Sequence, residues 1–331
     1  MRRGFVFGKF MPLHRGHQLL IDAALADSDD ITIAVYDSDP AGDFPPMPME
    51  LRLEWLRRLY PNVEQIVPLA DTWRHHPDRD TPEYGPLYAE ELGFLGAFDR
   101  VYTSEPGYDT FAQTLGAQHV VVDAARTLVP ISGTMIREAP FEHRGFMDPI
   151  VYASLVQKVA LVGTESSGKS TLAKALADAF DTAWVHEFGR ELWEAQNLEG
   201  TFADHLKTAR RQHDREEAAR RQARSYVFCD TNAWTTLQWS LHSYGTADAR
   251  LFDLVERTLD EYVWILCEPD FGWVQDGTRE MADGEALRFH EQHVDDLDRR
   301  GVPFTAVSGP VPDRVERVRA VLEGIPAARP H

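Results

Sequence analysis

The clearest chemical pattern in the sequence is GTESSGKS at residues 163–170, near the middle of the chain. It fits G-x-x-x-x-G-K-[ST] at every fixed position, the pattern of a loop whose backbone N–H groups surround phosphate oxygens. In that chemistry Lys169 reaches the β- and γ-phosphates, and the Ser170 hydroxyl takes a place on Mg²⁺. An apolar run precedes the loop and strong helix formers follow it. The predicted ATP-binding residues are Gly163, Glu165, Ser166, Ser167, Gly168, Lys169, Ser170 and Thr171.

A second group of residues with chemical potential lies in GKFMPLHRGH at residues 8–17. A short apolar run precedes it and a helical pattern follows, so the glycine-containing turn directs a helix N-terminus toward a ligand. The H-x-G-H spacing puts His14 and His17 in the first turn of that helix, on adjacent faces. Imidazoles there can hydrogen-bond to phosphate oxygens without forming a covalent intermediate, and Gly16 permits close backbone approach.

A third pattern, ISGTMIR at residues 131–137, is typical of a loop that ends in a helix N-terminus. Ser132 can cap this helix, whose first backbone N–H groups then face an anion. Arg137 follows one turn later and is suited to bidentate contact with a phosphate. The sequence therefore predicts phosphate-binding groups in both halves of the chain.

Each of two predicted strands in the second half has a carboxylate at its carboxyl end. Glu187 follows the strand at residues 182–186, and Asp230 ends the apolar strand YVFCD. A carboxylate at the carboxyl end of a parallel strand lies beside the ligand crevice, which makes Glu187 and the nearby Arg190 candidate substrate-binding residues. The competing interpretation of this pair is an ion pair on a helix surface. Asp230 is in the Walker-B arrangement, where it holds Mg²⁺ through a water or takes a proton from an acceptor hydroxyl.

The elements that must position these groups alternate between strands and helices, which is typical of an open parallel α/β sheet. Because a phosphate loop normally follows the first strand of its domain, we expect one domain at residues 1–150 and another at residues 151–331. Residues 71–86 are long and irregular enough to form a substrate loop. The predicted strands of the first domain after its initial one are residues 31–36, 65–69, 100–103 and 119–123.

Composition excludes several classes of protein. The 331-residue chain has a formal net charge of −19, which argues against a nucleic-acid partner because phosphate neutralisation needs clustered Lys and Arg. Cys229 and Cys267 lie in apolar strand-like runs and are predicted to be buried, reduced thiols of a cytoplasmic protein. Neither an export signal nor a transmembrane span is predicted. The sequence leaves the oligomeric state open, a homo-oligomer included.

The two N-terminal patterns carry a family resemblance. G-x-F-x-P-x-H-x-G-H and I-S-x-T-x-x-R resemble the paired signatures of the nucleotidylyltransferase superfamily, which has a Rossmann-like α/β fold. The resemblance implies that the first domain brings the α-phosphate of a nucleoside triphosphate to an attacking phosphate, without a protein nucleophile. His14 and His17 would then bind the nucleotide phosphates, and His17 would stabilise the pentacoordinate transition state. The residues implied to hold the triphosphate are Gly8, Lys9, Phe10, Ser132 and Arg137.

The order of motifs in the second half narrows the resemblance. E-[FY]-G-R-E at residues 187–191, D-T-x-x-x-T-T at 230–236 and D-G-x-R at 276–279 are similar to the NadR-type bifunctional enzymes. The resemblance implies a P-loop kinase domain that converts nicotinamide riboside and ATP to nicotinamide mononucleotide (NMN), after an adenylyltransferase domain that converts NMN and ATP to NAD and pyrophosphate, both with Mg²⁺. In the lid-like segment Arg279 would reach the transferring phosphoryl group.

The chain departs from the family pattern in two ways. Some members carry an N-terminal helix-turn-helix repressor domain, whereas here the first strand begins at Gly4, so a DNA-binding role is not predicted. Members often have tryptophans where the nicotinamide ring is recognised, at the segment matching residues 84–88. This chain has tyrosines in that segment and a tryptophan, Trp73, before it. The predicted substrate-binding residues are Trp73, Tyr84 and Tyr88 in the first domain and Glu187 and Arg190 in the second.

Three hypotheses remain open at this point. The first is the two-step enzyme of NAD synthesis. The second keeps both transfer reactions but changes the substrates to another phosphorylated acceptor and another nucleoside. The third is an ATP- or NAD-sensing module in which one site is vestigial. The presence of His14, His17, Lys169, Ser170 and Asp230 argues against degeneration.

Overall fold

The computed structural model describes residues 1–37, 47–70, 90–197, 199–270 and 283–324. These residues divide into two compact units, with the division between Tyr152 and Ala153. Each unit contains one sheet of five strands, and all strand pairs in both sheets are parallel. The prediction of two α/β domains with parallel sheets is therefore confirmed.

The first unit is built from short strands alternating with helices. Single 3₁₀ turns occupy Leu92–Leu95, Pro106–Tyr108 and Arg144–Phe146. Its strands are β1 Arg3–Gly8, β2 Asp30–Asp37, β3 Gln65–Ala70, β4 Arg100–Thr103 and β5 Gln118–Val121. Its helices are α1 Arg15–Asp27, α2 Met49–Leu59, α3 Asp109–Thr114 and α4 Gly133–Glu138, followed by α5 Pro149–Ser154, which contains the division.

The strand order of the first sheet is β3-β2-β1-β4-β5. The chain leaves β1 toward one edge of the sheet and later crosses to β4 on the other side, so the order reverses between β1 and β4. In parallel sheets a ligand crevice opens at the carboxyl ends of the strands at such a reversal. The GKF turn follows directly from the carboxyl end of β1, so this topology brings it to the crevice.

The second unit repeats the same principle with longer helices. A 3₁₀ turn occupies Leu259–Glu261. Its strands are β6 Gln157–Val162, β7 Ala183–Val185, β8 Tyr226–Asp230, β9 Tyr262–Cys267 and β10 Phe304–Val307. Its helices are α6 Lys169–Phe180, α7 Phe188–Ala195, α8 Phe202–Arg220, α9 Ala233–Tyr244, α10 Ala249–Thr258, α11 Asp283–Arg299 and α12 Val311–Gly324.

The second sheet has the order β10-β9-β6-β8-β7. Its central strand β6 is buried along its whole length, as expected for a parallel strand covered on both faces. Strand β8 lies beside β6 with Leu161 opposite Asp230. The phosphate loop and the acid at the end of β8 therefore leave the sheet side by side. Within the described residues no helix is both long and apolar enough to cross a membrane.

Helix α8 carries charged side chains of both signs, a pattern that is typical of a solvated helix face, but Glu216 is fully buried. The Lys158 ammonium, buried at the start of β6, lies 3.5 Å from Glu216 and 3.1 Å from Glu217, and it contacts Glu261. Arg220 pairs with Glu217 at 3.2 Å. Charge periodicity along a helix does not reveal that a buried lysine lies opposite it.

Two cations, Lys158 and Arg220, face three carboxylates in this cluster. Glu216 is the carboxylate that is stabilised in its protonated form. Burial raises the pKa of Glu216 from 4.5 to about 7, and the charges of Glu217 and Glu261 act in the same direction. Because the folded state binds this proton more tightly than the unfolded state, its contribution to stability is complete below about pH 4.5 and is lost as pH rises through about 7.

We expect Glu216→Gln, which cannot lose a proton, to abolish this loss of stability. The free energy of unfolding of the wild-type second unit should fall relative to the variant by up to about 3 kcal/mol between about pH 5 and pH 8. Denaturant unfolding at several pH values measures the difference. Glu316→Gln is the control, because this exposed carboxylate of α12 pairs with Arg319 outside the cluster and its substitution should leave the wild-type pH dependence in place. Parallel curves for wild type and Glu216→Gln would contradict the assignment.

Candidate active sites

In the first unit the two N-terminal patterns meet although they are distant in the chain. The Arg137 guanidinium donates to the Met11 carbonyl at 2.7 Å and to the Thr134 hydroxyl at 3.1 Å. Ser132 caps helix α4, with its hydroxyl accepting from the Met135 N–H at 3.2 Å. The N-terminus of α4 therefore lies against the turn that follows β1, as the pairing of phosphate-binding groups requires.

His14 and His17 form a reciprocal hydrogen-bonded pair at the start of α1. His14 is the N-cap residue, which places it one position before the helix rather than in its first turn. Its Nδ1 accepts from the Gly16 and His17 N–H groups at 3.1 and 3.4 Å, and Nδ1 of His17 accepts from the His14 N–H at 3.4 Å. The two rings stack with 3.8 Å between centroids. Since each Nδ1 accepts, each neutral ring carries its proton on Nε2.

The surroundings of these rings keep both of them neutral. Burial, together with the charges of Arg126 and Arg137, lowers the pKa of His14 from 6.5 to about 4. Burial, His14 and Arg126 hold the pKa of His17 well below its ordinary value. At neutral pH the pair can therefore offer Nε2–H donors to phosphate oxygens, while positive charge comes from the arginines.

Arg126 is a candidate functional residue that the sequence-based prediction missed. Its charge acts on both histidines, and it belongs to a loop organised by one carboxylate. Asp123 accepts from the backbone N–H groups of residues 127–129 at 2.8–3.1 Å. Both Asp123 and Arg126 adopt a φ of 51°, a conformation that persists only where surrounding contacts hold it. The available sequence signal was an arginine shortly before ISGT.

The remaining predicted residues of this site lie in the turn after β1. Gly8 is the last residue of that strand. The Lys9 carbonyl accepts from the buried Arg52 guanidinium at 2.9 Å. Phe10 is buried, has a φ of 51°, and lies edge-on to the His17 ring with 5.0 Å between centroids. The predicted substrate-binding residues Trp73, Tyr84 and Tyr88 lie outside the described residues, as does Arg279 of the second domain.

In the second unit the phosphate loop has the backbone that its glycines allow. Gly163 has a φ of 140°, and a Cβ there would lie 2.6 Å from the Cys267 carbonyl oxygen, so only glycine fits. Ser166 and Gly168 also have positive φ values, 63° and 83°. Lys169 donates to the Thr164 carbonyl at 2.7 Å. Ser170 and Thr171 follow in the first turn of α6.

Asp230 is placed where a cation is expected. It is fully buried, and neither of its carboxylate oxygens has a hydrogen-bond partner among the described residues. A buried carboxylate without partners is costly unless a cation or proton compensates it. The donor set of Asp230 and the Ser170 hydroxyl suits Mg²⁺, which prefers oxygen ligands.

The buried Gln212 amide of α8 links the backbone next to Glu187 to the backbone of Asp230. The sequence-based prediction did not select this residue. Gln212 accepts from the Phe188 N–H at 2.9 Å and donates to the Asp230 carbonyl at 3.4 Å. Glu187 occupies the N-cap position of α7 without a capping hydrogen bond from its side chain. Burial raises the pKa of Glu187, and the charge of Asp230 raises it further. The two carboxylates are therefore electrostatically coupled.

Glu187 and Arg190 lie 3.8 Å apart and form the ion pair of the competing interpretation. Both also line a cavity of about 580 Å³, whose wall includes Lys169, Ser170 and Thr171 of the phosphate loop and helix α6. The ion pair therefore belongs to the wall of the cavity rather than to an open helix surface. Ion pairing and substrate binding are compatible roles for these residues.

The same cavity is lined by aromatic side chains that the sequence-based prediction did not select, namely Trp193, Trp239 and Tyr244. Gly200 packs against one of them so closely that a Cβ would lie 2.1 Å from Cζ3 of Trp193. The Tyr244 hydroxyl donates to the Gly200 carbonyl at 3.4 Å. Trp193 and Tyr244 come from different helices, so helix periodicity alone could not show that they share a cavity.

Comparison with known proteins gives the family. The chain is 30% identical over 335 residues to the trifunctional NAD biosynthesis/regulator protein NadR of Escherichia coli K12, covering 92% of this chain and 78% of that protein. The chain belongs to the NadR family. The family model described as AAA domain matches residues 158–314, the part of this NadR-family chain that holds the phosphate loop. The predicted NadR-type resemblance is confirmed.

Two solved NadR structures share the fold of the chain. The NadR protein in complex with NR superposes with a TM-score of 0.62 at 24% identity, covering 99% of this chain and 98% of that one. The NadR protein in complex with NAD and AMP-PNP gives a TM-score of 0.61 at 22% identity, covering 97% and 95%. The NadR fold therefore extends over both units.

The neutral state of the histidine pair predicts the pH dependence of adenylyl transfer. Since the pKa of His14 is about 4 and that of His17 is also low, neither should titrate between about pH 6 and pH 8. Initial rates with ATP and NMN should therefore show no acid limb that depends on these residues. The test compares wild type with His17→Asn, in which titration of the substrate phosphates is unchanged. A fall in rate below about pH 7 that is present only in the wild type would contradict neutral donors.

The contact between Gly200 and Trp193 predicts the effect of a single methyl group. Gly200→Ala should displace the Trp193 ring into the cavity and raise KM for the nucleoside by roughly tenfold or more, with a smaller effect on KM for ATP. Steady-state kinetics of the riboside kinase reaction measures both. Gly324→Ala is the control, because a Cβ there has no neighbour within 4 Å. Equal KM values for Gly200→Ala and wild type would show that the Trp193 wall does not touch the substrate.

Proposed function

We propose that this chain catalyses two consecutive steps of NAD synthesis. The second unit transfers the γ-phosphoryl group of ATP to nicotinamide riboside, and the first transfers the adenylyl group of a second ATP to the resulting NMN, releasing pyrophosphate. We take residues 1–150 as the adenylyltransferase domain and residues 151–331 as the kinase domain. Membership of the NadR family supports the pair of reactions. The observation that carries the assignment of the kinase is that the phosphate loop and the aromatic side chains line the same cavity.

In the kinase reaction the riboside hydroxyl attacks the γ-phosphorus of ATP, the bond to the β,γ-bridging oxygen breaks, and ADP leaves as the hydroxyl gives up its proton. Lys169 and the backbone N–H groups of residues 163–170 stabilise charge on the phosphate oxygens. The faces of Trp193 and Trp239 are suited to a flat, cationic nicotinamide ring, because an aromatic face attracts a cation. Glu187 on the cavity wall can accept a hydrogen bond from the riboside, and Arg190 holds that carboxylate in place.

Mg²⁺ fits this site because Asp230 is a buried carboxylate without a hydrogen-bond partner in the described part of the chain. We assign Ser170 and Asp230 to hold it, and when bound it would neutralise charge on the β- and γ-phosphates. The buried free thiols Cys229 and Cys267 support a reducing compartment, and we place the enzyme in the cytoplasm. The lack of a nucleic-acid partner stays a prediction, and the sequence leaves the oligomeric state open.

In adenylyl transfer a phosphate oxygen of NMN attacks the α-phosphorus of ATP, and pyrophosphate leaves. The Nε2–H groups of His14 and His17 are placed to donate to phosphate oxygens as charge builds on them. Arg126 and Arg137 supply positive charge, and the N-terminus of α4 adds backbone donors capped by Ser132. Every group in this account stabilises charge, so no covalent enzyme intermediate is needed.

The two assignments predict opposite effects of two substitutions. Lys169→Ala should lower riboside kinase activity by about a hundredfold or more and leave adenylyl transfer unchanged, since it removes phosphate contacts from one unit only. His17→Ala should lower adenylyl transfer by about a hundredfold or more and leave the kinase unchanged. Lys174→Ala, an exposed position on the same helix as Lys169, is the control. Loss of both activities in either variant would refute the two-site assignment.

Product analysis of the purified chain with Mg-ATP tests the proposal as a whole. NAD should appear from either nicotinamide riboside or NMN, with NMN as the intermediate in the first case. NMN from the riboside without NAD would mean that the first unit acts on another acceptor. The absence of any product from the riboside would refute the kinase assignment.

A further inference from the structure

Both units contain an arginine that is almost completely buried yet lies next to the phosphate-binding turn. Arg52 on α2 and Arg314 on α12 are each 1% exposed. Neither belongs to a motif from which the active sites were predicted. A guanidinium carries five N–H donors in one plane and keeps its charge when buried, so it can hold several carbonyl oxygens at fixed positions.

Arg52 joins the ends of β1 and β2 to the start of its own helix. It donates through Nη1 to the Lys9 carbonyl at 2.9 Å and the Tyr36 carbonyl at 2.7 Å, and through Nε to the Met47 carbonyl at 2.9 Å. Asp37 lies 3.7 Å from the same guanidinium. The Lys9 carbonyl belongs to the GKF turn, which enters the first active site.

Arg314 has the same relation to the phosphate loop of the second unit. It donates through Nη1 to the Ser167 carbonyl at 2.7 Å, through Nε to the Gly309 carbonyl at 2.8 Å and through Nη2 to the Glu268 carbonyl at 3.2 Å. Its Nη2 also contacts the Asp270 carboxylate. Three segments that follow strand ends therefore converge on one side chain.

The geometry of the peptide bond gives these contacts a consequence for ligand binding. In a trans peptide the carbonyl and the next N–H point in opposite directions, and among the described residues only the Met11–Pro12 bond is cis. A Ser167 carbonyl held by Arg314 therefore directs the Gly168 N–H away from the guanidinium. In the same way, a Lys9 carbonyl held by Arg52 directs the Phe10 N–H away from that side chain.

We propose that Arg52 and Arg314 are positioning residues for the two transfer reactions, each of which fixes one peptide unit of its phosphate-binding turn so that the following N–H faces the triphosphate of ATP. The inference rests on the proposed function, because it takes ATP as the ligand of both turns. Neither arginine touches the reacting atoms. Each acts through one backbone amide, Phe10 in the adenylyltransferase and Gly168 in the kinase.

The test uses the full chain and its two activities. Arg314→Lys keeps the charge but loses the fork of donors, and it should raise KM for ATP in the kinase reaction roughly tenfold or more, with KM for the riboside changed less than about twofold. Adenylyl transfer should stay at the wild-type rate. Arg52→Lys should give the reverse pattern, with KM for ATP raised only in adenylyl transfer.

Matched controls are available on the same two helices. Arg319→Met on α12 removes an arginine that pairs with Glu316 at 3.5 Å, and Arg58→Met on α2 removes one that pairs with Glu54 at 3.2 Å. Both controls should retain wild-type KM values for ATP. An equal rise of KM for ATP and for the acceptor in the lysine variants, or loss of both activities together, would show a general structural role and overturn the proposal.

A binding measurement separates this inference from the proposed function. Calorimetric titration of the full chain with AMP-PNP reports nucleotide affinity without turnover. If wild type binds AMP-PNP but produces no NMN or NAD, the proposed function fails. Weaker AMP-PNP binding in Arg314→Lys than in Arg319→Met would still support the positioning role, and equal affinities in the two variants would overturn it.

Discussion

The recognition of a triphosphate by backbone N–H groups is the constraint on which both active sites depend. An N–H group can face a ligand only where it is not used within a helix or a sheet, which means in the turn between a strand and the next helix. The parallel sheets place such turns together at the carboxyl ends of their strands. In the first unit this is the turn after Gly8, and in the second it is the loop between β6 and α6.

Positive charges are concentrated near these turns, although the chain as a whole is strongly acidic. A formal net charge of −19 repels anionic substrates at long range, but solvent and salt screen that field within about 10 Å. Inside the sites Arg126 and Arg137, or Lys169 and Arg190, act at short range. Burial also removes charge from the histidine pair, so hydrogen bonding rather than net imidazole charge is their contribution.

The second unit of this bifunctional enzyme treats buried charge differently at the two ends of its sheet. The Lys158 cluster at the amino ends of the second sheet is balanced internally, since Glu216 is stabilised in its protonated form. Asp230 at the opposite end of the neighbouring strand has no such partner in the described residues. A buried acid that the protein leaves uncompensated is the better candidate for binding a cation, and this contrast within one unit supports the Mg²⁺ assignment.

The sequence by itself determined the parts of this protein that act locally. The GTESSGKS loop requires backbone conformations that only its glycines allow, so its spacing was sufficient to predict it. The alternation of strands and helices determined the two parallel-sheet domains, and the motifs at residues 187–191 and 230–236 determined the family. The exact place of His14 as a cap was one residue beyond what periodicity could resolve, because capping depends on side-chain hydrogen bonds.

Only the tertiary structure decided which distant residues share a site. The charge of Arg126 acts on the histidines from a loop that one carboxylate organises. Trp193 and Tyr244 both contact Gly200 from different helices. Arg52 and Arg314 are charged residues in amphipathic helices, where the sequence pattern favours exposure. Their burial depends on carbonyl groups supplied by strands far away in the chain. Contacts of this kind depend on how the elements pack, and residue type and spacing alone do not predict them.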